Sequence, residues 1–195
     1  MISIICPTYN SSRTIANVIN SILSQKEYKH NFEIIFIDDG SVDDTVKIIR
    51  LGIKELIGKN IDAQLYINSH NGPGASRNIG IKKSKYNYIA FIDSDDVWYE
   101  NKISLCEETI SNNPENNIFI HDELFVRTNF ANSKIINGNY TEPLSESLYN
   151  KNCFSTSAVI IDKELLQKYG GFDEKLMSSQ DYELWLKLSN HLNPY

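Results

Sequence analysis

The sequence predicts an α/β fold: a three-layer α/β/α sandwich around a mostly parallel central sheet, with a mixed second half. Three observations carry that prediction. Short apolar runs rich in β-branched residues alternate with segments whose apolar residues recur every three or four positions. The apolar runs are nearly continuous, as strands covered on both faces require. Three of them end in polar or acidic clusters, where open α/β sheets place their ligand crevices.

Ile2–Cys6 reads as the first buried strand, closed by Pro7. Ser11 or Ser12 is placed to cap a helix with apolar positions Ile15, Val18, Ile19, Ile22 and Leu23. Phe32–Ile37 is a second buried strand, ended by Asp38-Asp39-Gly40-Ser41. Asp43 or Asp44 starts a second helix with Val46, Ile49, Ile53, Leu56 and Ile57 on one face. Ala63–Ile67 is a third strand, followed by a glycine-rich loop and a short helix over Ala75–Lys83. Tyr88–Ile92 is a fourth strand, ending in Asp93-Ser94-Asp95-Asp96.

Beyond this point the pattern is less regular. A helical period covers Ile103–Ile110 and stops at Asn112-Asn113-Pro114. Asn117–His121 and Leu124–Thr128 read as short strands, residues 129–142 as a polar loop, and Ser155–Ile161 as a further strand. Lys163–Tyr169 is a short helix ended by Gly170-Gly171, and Tyr182–Leu192 is again helical. No repeat, low-complexity segment or linker divides the chain. Residues 1–195 therefore read as one domain, with a nucleotide-binding-type half over 1–97 and a mixed half over 98–195 that ends early, as in a C-terminally truncated chain.

Composition excludes several classes. The 195 residues are 41% hydrophobic and 23% charged, enough for one packed core. With 25 acids against 19 bases the formal net charge is −6, which argues against a nucleic-acid partner. No apolar run approaches the roughly 18–20 residues of a spanning helix, and the N-terminus lacks a secretory signal. Three widely spaced cysteines, Cys6, Cys106 and Cys153, argue against a disulfide framework or zinc site and for a reducing cytoplasm. Heavy use of Asn, Lys and Ile against four arginines points to an AT-rich bacterial genome.

The strand-end clusters carry the chemistry. Pro7-Thr8-Tyr9-Asn10, Asp38-Asp39-Gly40-Ser41 and Asp93-Ser94-Asp95-Asp96 would bring four or five carboxylates into one crevice, where they repel one another. A bound divalent cation relieves that repulsion, and oxygen-only ligands select magnesium or manganese. Such ions are shared with substrate phosphates, so a nucleoside diphosphate is the natural partner. Each cluster taken singly is also an ordinary turn or cap sequence. Gly72–Gly80 adds close-approach glycines and Arg77, a donor to phosphate or base oxygens, and lacks both dinucleotide and Walker fingerprints.

On these motifs the chain resembles a family 2 glycosyltransferase of the GT-A fold. P-T-Y-N at 7–10, D-D-G-S at 38–41, R-N-x-G at 77–80 and D-S-D-D at 93–96 fall in the family's order. Gly170-Gly-Phe-Asp-Glu174 and Gln180-Asp-Tyr-Glu-Leu-Trp185 complete the set, and the match runs from Ile2 to about Leu188. The resemblance implies an inverting, metal-dependent, hexosyltransferase-type enzyme of bacterial surface polysaccharide synthesis. Its donor would be a nucleotide-sugar, with a UDP-sugar favoured, and its acceptor a glycan or lipid-linked glycan. Residues 1–97 would hold the donor and 98–195 the acceptor.

Carried over by position, Pro7, Thr8, Tyr9 and Asn10 would sit against the nucleotide, with Tyr9 on the base. Asp39 would accept from the pyrimidine nitrogen, and Arg77 would face the nucleotide or its diphosphate. Asp93 would lie by the ribose and Ser94 against the nucleotide, Asp93 and Asp95 would hold Mn2+ or Mg2+, and Asp96 would approach the donor sugar. Asp181 would be the general base, and it is equally a plausible helix-start acid. Departures from the family pattern are Gln180 for Glu, Ser76 for Ala and Tyr86 for Gly. His121 is read as structural or acceptor-side. Phe125, Phe130, Tyr140, Tyr149 and Phe154 are read as packing or acceptor-groove aromatics, and Leu184, Trp185 and Leu188 as core. Two alternatives stand beside this reading: a sugar nucleotidyltransferase, disfavoured by the missing lysine-bearing glycine loop, and a non-catalytic sugar-nucleotide-binding module. Contact with the inner face of the membrane through chain beyond residue 195 is a further expectation.

Overall fold

The structure, a computed structural model, describes residues 1–126, 133–136 and 143–195. Strand β1 (Ile2–Thr8) is buried along its whole length and lies between two parallel neighbours, β2 (Glu33–Asp38) and β4 (Tyr88–Phe91). Strand β3 (Asp62–Ile67) pairs in parallel with β2 and forms one edge. On the other side, β8 (Val159–Asp162) runs antiparallel to both β4 and β5 (Ile118–Ile120). The six-stranded order is β3-β2-β1-β4-β8-β5, mostly parallel as predicted. A separate antiparallel pair joins β6 (Glu123–Val126) to β7 (Ser133–Ile136).

Side-chain alternation explains why both faces are covered. Ile4, Cys6, Ile34 and Phe36 project to one face and pack against α1 (Ile15–Leu23) and α2 (Thr45–Gly58). Ile5, Ile35 and Ile37 project to the other, where α3 (Gly72–Lys83) and α7 (Gln180–Leu188) bring Ile81, Leu184, Trp185 and Leu188. Helix α4 (Lys102–Asn112) buries Ile103, and α6 (Lys163–Lys168) buries Leu166.

Several expectations needed correction. Helix α1 begins through the Ser11 carbonyl, which accepts from Thr14 and Ile15 N–H, and neither Ser11 nor Ser12 caps it with a side chain. Helix α2 turns Ile57 to solvent and instead buries Gly52, because Ile19 of α1 fills the space a Cβ would need there. Helix α3 starts at Gly72, so the expected glycine-rich loop is its first turn. Residues 129–142 contain β7, and an unforeseen helix, α5 (Leu144–Asn150), follows. The strand expected from Ser155 begins with a 3-10 turn, Thr156–Ala158. The last helix stops at Leu188, and Tyr195 exchanges backbone hydrogen bonds with Ile118 and Ile120 of β5. Phe130 and Tyr140 lie outside the described residues.

Candidate active site

In the strand order, β1 is where the connections reverse direction, which opens a crevice at the carboxyl ends of β1, β2 and β4. A cleft of about 340 Å³ occupies it. Pro7, Thr8 and Tyr9 line it from β1, Asp39 from β2, and Asp93, Ser94 and Asp95 from β4. The segment entering α3 supplies His70, Gly72, Pro73, Ser76 and Arg77. Eight of the sequence-predicted residues therefore meet in one place. Asn10, Asp96 and Asp181 are not among the lining residues.

The Asp-Asp-Gly-Ser turn divides its acids between two tasks. Asp38 is fully buried and accepts from Ser41 N–H at 2.9 Å, Ser41 Oγ at 2.5 Å and Thr8 Oγ1 at 3.2 Å. Gly40 permits this turn with φ of +82°. Asp39 points toward α3 and accepts from the Asn71 and Gly72 N–H groups, each at 2.8 Å. Those amides belong to the helix start, so Asp39 satisfies two orphan donors and meets the positive end of the dipole. Asn10 ties the two loops: its N–H donates to Ser41 Oγ and its Oδ1 accepts from Val42 N–H, both at 2.9 Å.

Arg77 sits on the first turns of α3 with its side chain only 8% exposed. Its Nη2 donates to Asp93 Oδ1 at 2.6 Å, and its guanidinium lies 5.3 Å from the Phe172 ring centre. Arg77 Nε and the Ser76 hydroxyl have no partner among the described residues. The Asp93–Asp96 loop is held from β8: Ser157 Oγ accepts from Asp93 N–H at 3.1 Å and hydrogen-bonds the Asp96 carboxylate. Ser94 Oγ meets Ser11 Oγ at 2.8 Å. Burial raises the Asp96 carboxyl above its ordinary range, and the neighbouring charges of Asp93 and Asp95 push the same way. Burial, with Asp93 next, likewise drives the Cys6 thiol up.

Among the described residues no three His, Cys, Asp or Glu side chains form a preformed metal cage. The residues still fit a shared ion of the magnesium or manganese kind, which takes one or two carboxylates and completes its shell with substrate phosphates. Burial is the main cause of the raised Asp96 carboxyl, the charges of Asp93 and Asp95 add to it, and a cation there would offset that added repulsion.

Asp181 lies in the first turn of α7, and its Oδ2 accepts from Asn152 Nδ2 at 3.0 Å. Its neighbour Gln180 is buried, donates Nε2–H to the Leu176 carbonyl, and packs on Gly74, where a Cβ would come within 3.1 Å of the amide. Gln180 thus docks the start of α7 onto the first turn of α3. Asn78 makes a second latch. Its Oδ1 accepts from Phe172 N–H, and its Nδ2 donates to the Phe172 carbonyl and Glu174 Oε1, each at 2.9 Å. The R-N-x-G and Gly-Gly-Phe-Asp-Glu motifs are therefore halves of one contact.

His70 and Ser157 escaped the sequence reading. His70 follows the carboxyl end of β3, so the strand-end rule covers it. Ser157 precedes an antiparallel strand, whose start rather than its end faces the crevice, and no local pattern marks it. His121 is structural: Nδ1 and Nε2 lie 2.9 and 3.1 Å from the Asp122 and Ser157 carbonyls.

Comparison with known proteins places the chain in a family. Residues 3–170 match Glycosyl transferase family 2. An uncharacterized glycosyltransferase of Rickettsia bellii is 32% identical over 97% of this chain, which spans 26% of that protein's length. The Escherichia coli UDP-Glc:alpha-D-GlcNAc-diphosphoundecaprenol beta-1,3-glucosyltransferase WfgD is 33% identical over 96% of this chain and 69% of its own. The crystal structure of S. aureus TarS 1-349 in complex with UDP-GlcNAc superposes with a TM-score of 0.76 at 23% identity, covering 96% of this chain and 52% of that one. The chain belongs to glycosyl transferase family 2 and has the GT-A fold.

Proposed function

We propose that this protein is an inverting glycosyltransferase that moves a sugar from a UDP-sugar to a glycan or lipid-linked acceptor in bacterial surface polysaccharide synthesis. The observation that carries the proposal is the convergence of Tyr9, Asp39, Arg77, Asp93 and Asp95 on one cleft at the reversal point of the sheet. The E. coli relative, whose name specifies a UDP-Glc donor and a diphosphoundecaprenol-linked acceptor, supports the choice of substrates.

In this reading the base lies against Tyr9 and Asp39, and the diphosphate runs toward Arg77 and the Asp93–Asp95 pair. The two α3 amides are already taken by Asp39, so they contribute little to the phosphates. Asp93 and Asp95 would hold a divalent cation, which supplies positive charge against the departing diphosphate. Arg77 holds Asp93 in place and brings a second positive charge. Asp181 accepts the proton of the acceptor hydroxyl as that oxygen bonds to the anomeric carbon and the bond to the diphosphate breaks. One displacement inverts the anomeric centre, and no covalent enzyme intermediate forms.

Asp181→Asn keeps the side-chain shape and removes the base. It should lower transfer by about 10²–10⁴-fold while leaving the dissociation constant of UDP unchanged in a calorimetric titration. Full transfer by this variant sinks the assignment of the base.

A further inference from the structure

We infer that His70 is a positioning residue for the nucleobase: it braces the Tyr9 ring and ties it to Asp39, so that the two base-contacting residues form one unit. The inference rests on the donor reading of the cleft given above.

Four observations converge on this side chain. Its ring stacks on Tyr9 with centroids 4.2 Å apart and planes 27° from parallel. Its Nδ1 lies 3.2 Å from the Asp39 carbonyl oxygen and 3.2 Å from Asp39 Oδ2. It lines the same cleft as both partners. Its backbone sits at φ of +33°, a conformation that costs free energy for a side-chain-bearing residue and that surrounding structure must hold.

Tyr9 needs such a brace. It is 46% exposed at a loop start, and an exposed aromatic ring is otherwise free to change rotamer. Rings 4.2 Å apart leave no room for a base between them, so the base must stack on the outer face of the pair. Fixing Tyr9 before the base arrives removes part of the ordering cost of binding. The same ring reaches Asp39, whose carboxylate is anchored on α3. Base stacking and base hydrogen bonding are thereby held in one register.

The test compares two ligands, UDP and inorganic pyrophosphate with Mn2+, by calorimetry. His70→Asn removes the ring and keeps a residue that tolerates positive φ, whereas His70→Phe keeps the ring. Loss of the stack should weaken UDP about 2- to 12-fold in His70→Asn, the range of an aromatic pair, with pyrophosphate affinity unchanged. His70→Phe restores the stacking face and not the Nδ1 contact to Asp39, so it should recover only part of the UDP affinity. Unchanged UDP binding by His70→Asn, or an equal loss for UDP and pyrophosphate, overturns the inference. A parent protein that binds pyrophosphate but not UDP overturns the donor reading itself, and the role of His70 with it.

Discussion

His121 illustrates how surroundings set the chemistry of a single side chain. Burial, reinforced by the positive charge of Lys102, pulls its imidazolium pKa down to about 4, against an ordinary 6.5. The folded protein therefore keeps it neutral where the unfolded chain already binds a proton. Stability contributed by the neutral ring is present above about pH 6.5 and declines as pH falls toward 4. Urea unfolding at pH 7 and pH 5 should differ by of the order of 2 kcal/mol from this residue, and His121→Gln should flatten that difference. An identical pH dependence in the variant counts against it. The same scale shows what residue types convey by themselves. Tyr9, Asp39, Arg77, Asp93 and Asp95 were readable as cleft residues because strand ends are recognisable. Their detailed engagements were not: the α3 start held by Asp39 and the Asp93 partner of Arg77 both depend on residues far away in sequence.

Helix α3 shows the same limit for a whole element. Gly72-Pro-Gly reads as a loop because glycine disfavours helix by roughly 1 kcal/mol. One remote and one local contribution reverse that preference. The Asp39 carboxylate, more than thirty positions upstream, caps the first amides, and Pro73 in the first turn presets its own φ. Farther along, Gly80 is required for packing. A Cβ there would come within 2.5 Å of Ile5 Cγ2 and 2.9 Å of Ile37 Cδ1, so the helix lies directly on the central strands. Gly80→Ala should cost about 1–3 kcal/mol despite its better helix propensity, seen as a melting point lowered by several degrees. Gly58→Ala, with nothing within 4 Å, is the control and should be neutral or stabilising. Equal melting points for the two variants would refute the packing argument. The strands fared better than the helices in the sequence reading, because a fully buried strand carries its signal in its own apolar run. The exceptions are β7, in a polar stretch, and β8, whose first expected residues form a 3-10 turn.

For the molecule as a whole, charge and topology act together. A chain of net charge −6 offers an anionic nucleotide a cleft with several carboxylates, and its Arg77 is already paired with Asp93. Nucleotide binding should therefore depend on a cation. At 100 times the dissociation constant, UDP with Mn2+ should stabilise the fold by about 2.7 kcal/mol, roughly 5–10 °C in the melting point. Asp95→Ala should abolish the Mn2+-dependent part of that shift. Equal UDP stabilisation with and without Mn2+ argues against the cation. The parallel half of the sheet and its crevice were legible from alternating periodicities. The antiparallel return of the chain into that sheet was not, since strand direction leaves no mark on a short apolar run.

That return has a practical consequence for recombining this chain with its relatives. Strand β8 belongs to the second half of the sequence, yet it hydrogen-bonds to β4 on one side and β5 on the other, and the Ser157 turn before it organises the Asp93–Asp96 loop. A chimera joined near residue 97 would import an interior strand of the sheet together with a support of the Asp93–Asp96 loop. Exchanging the rest of the second half without disturbing the Asp93–Asp96 loop calls for junctions that leave residues 155–162 with the recipient.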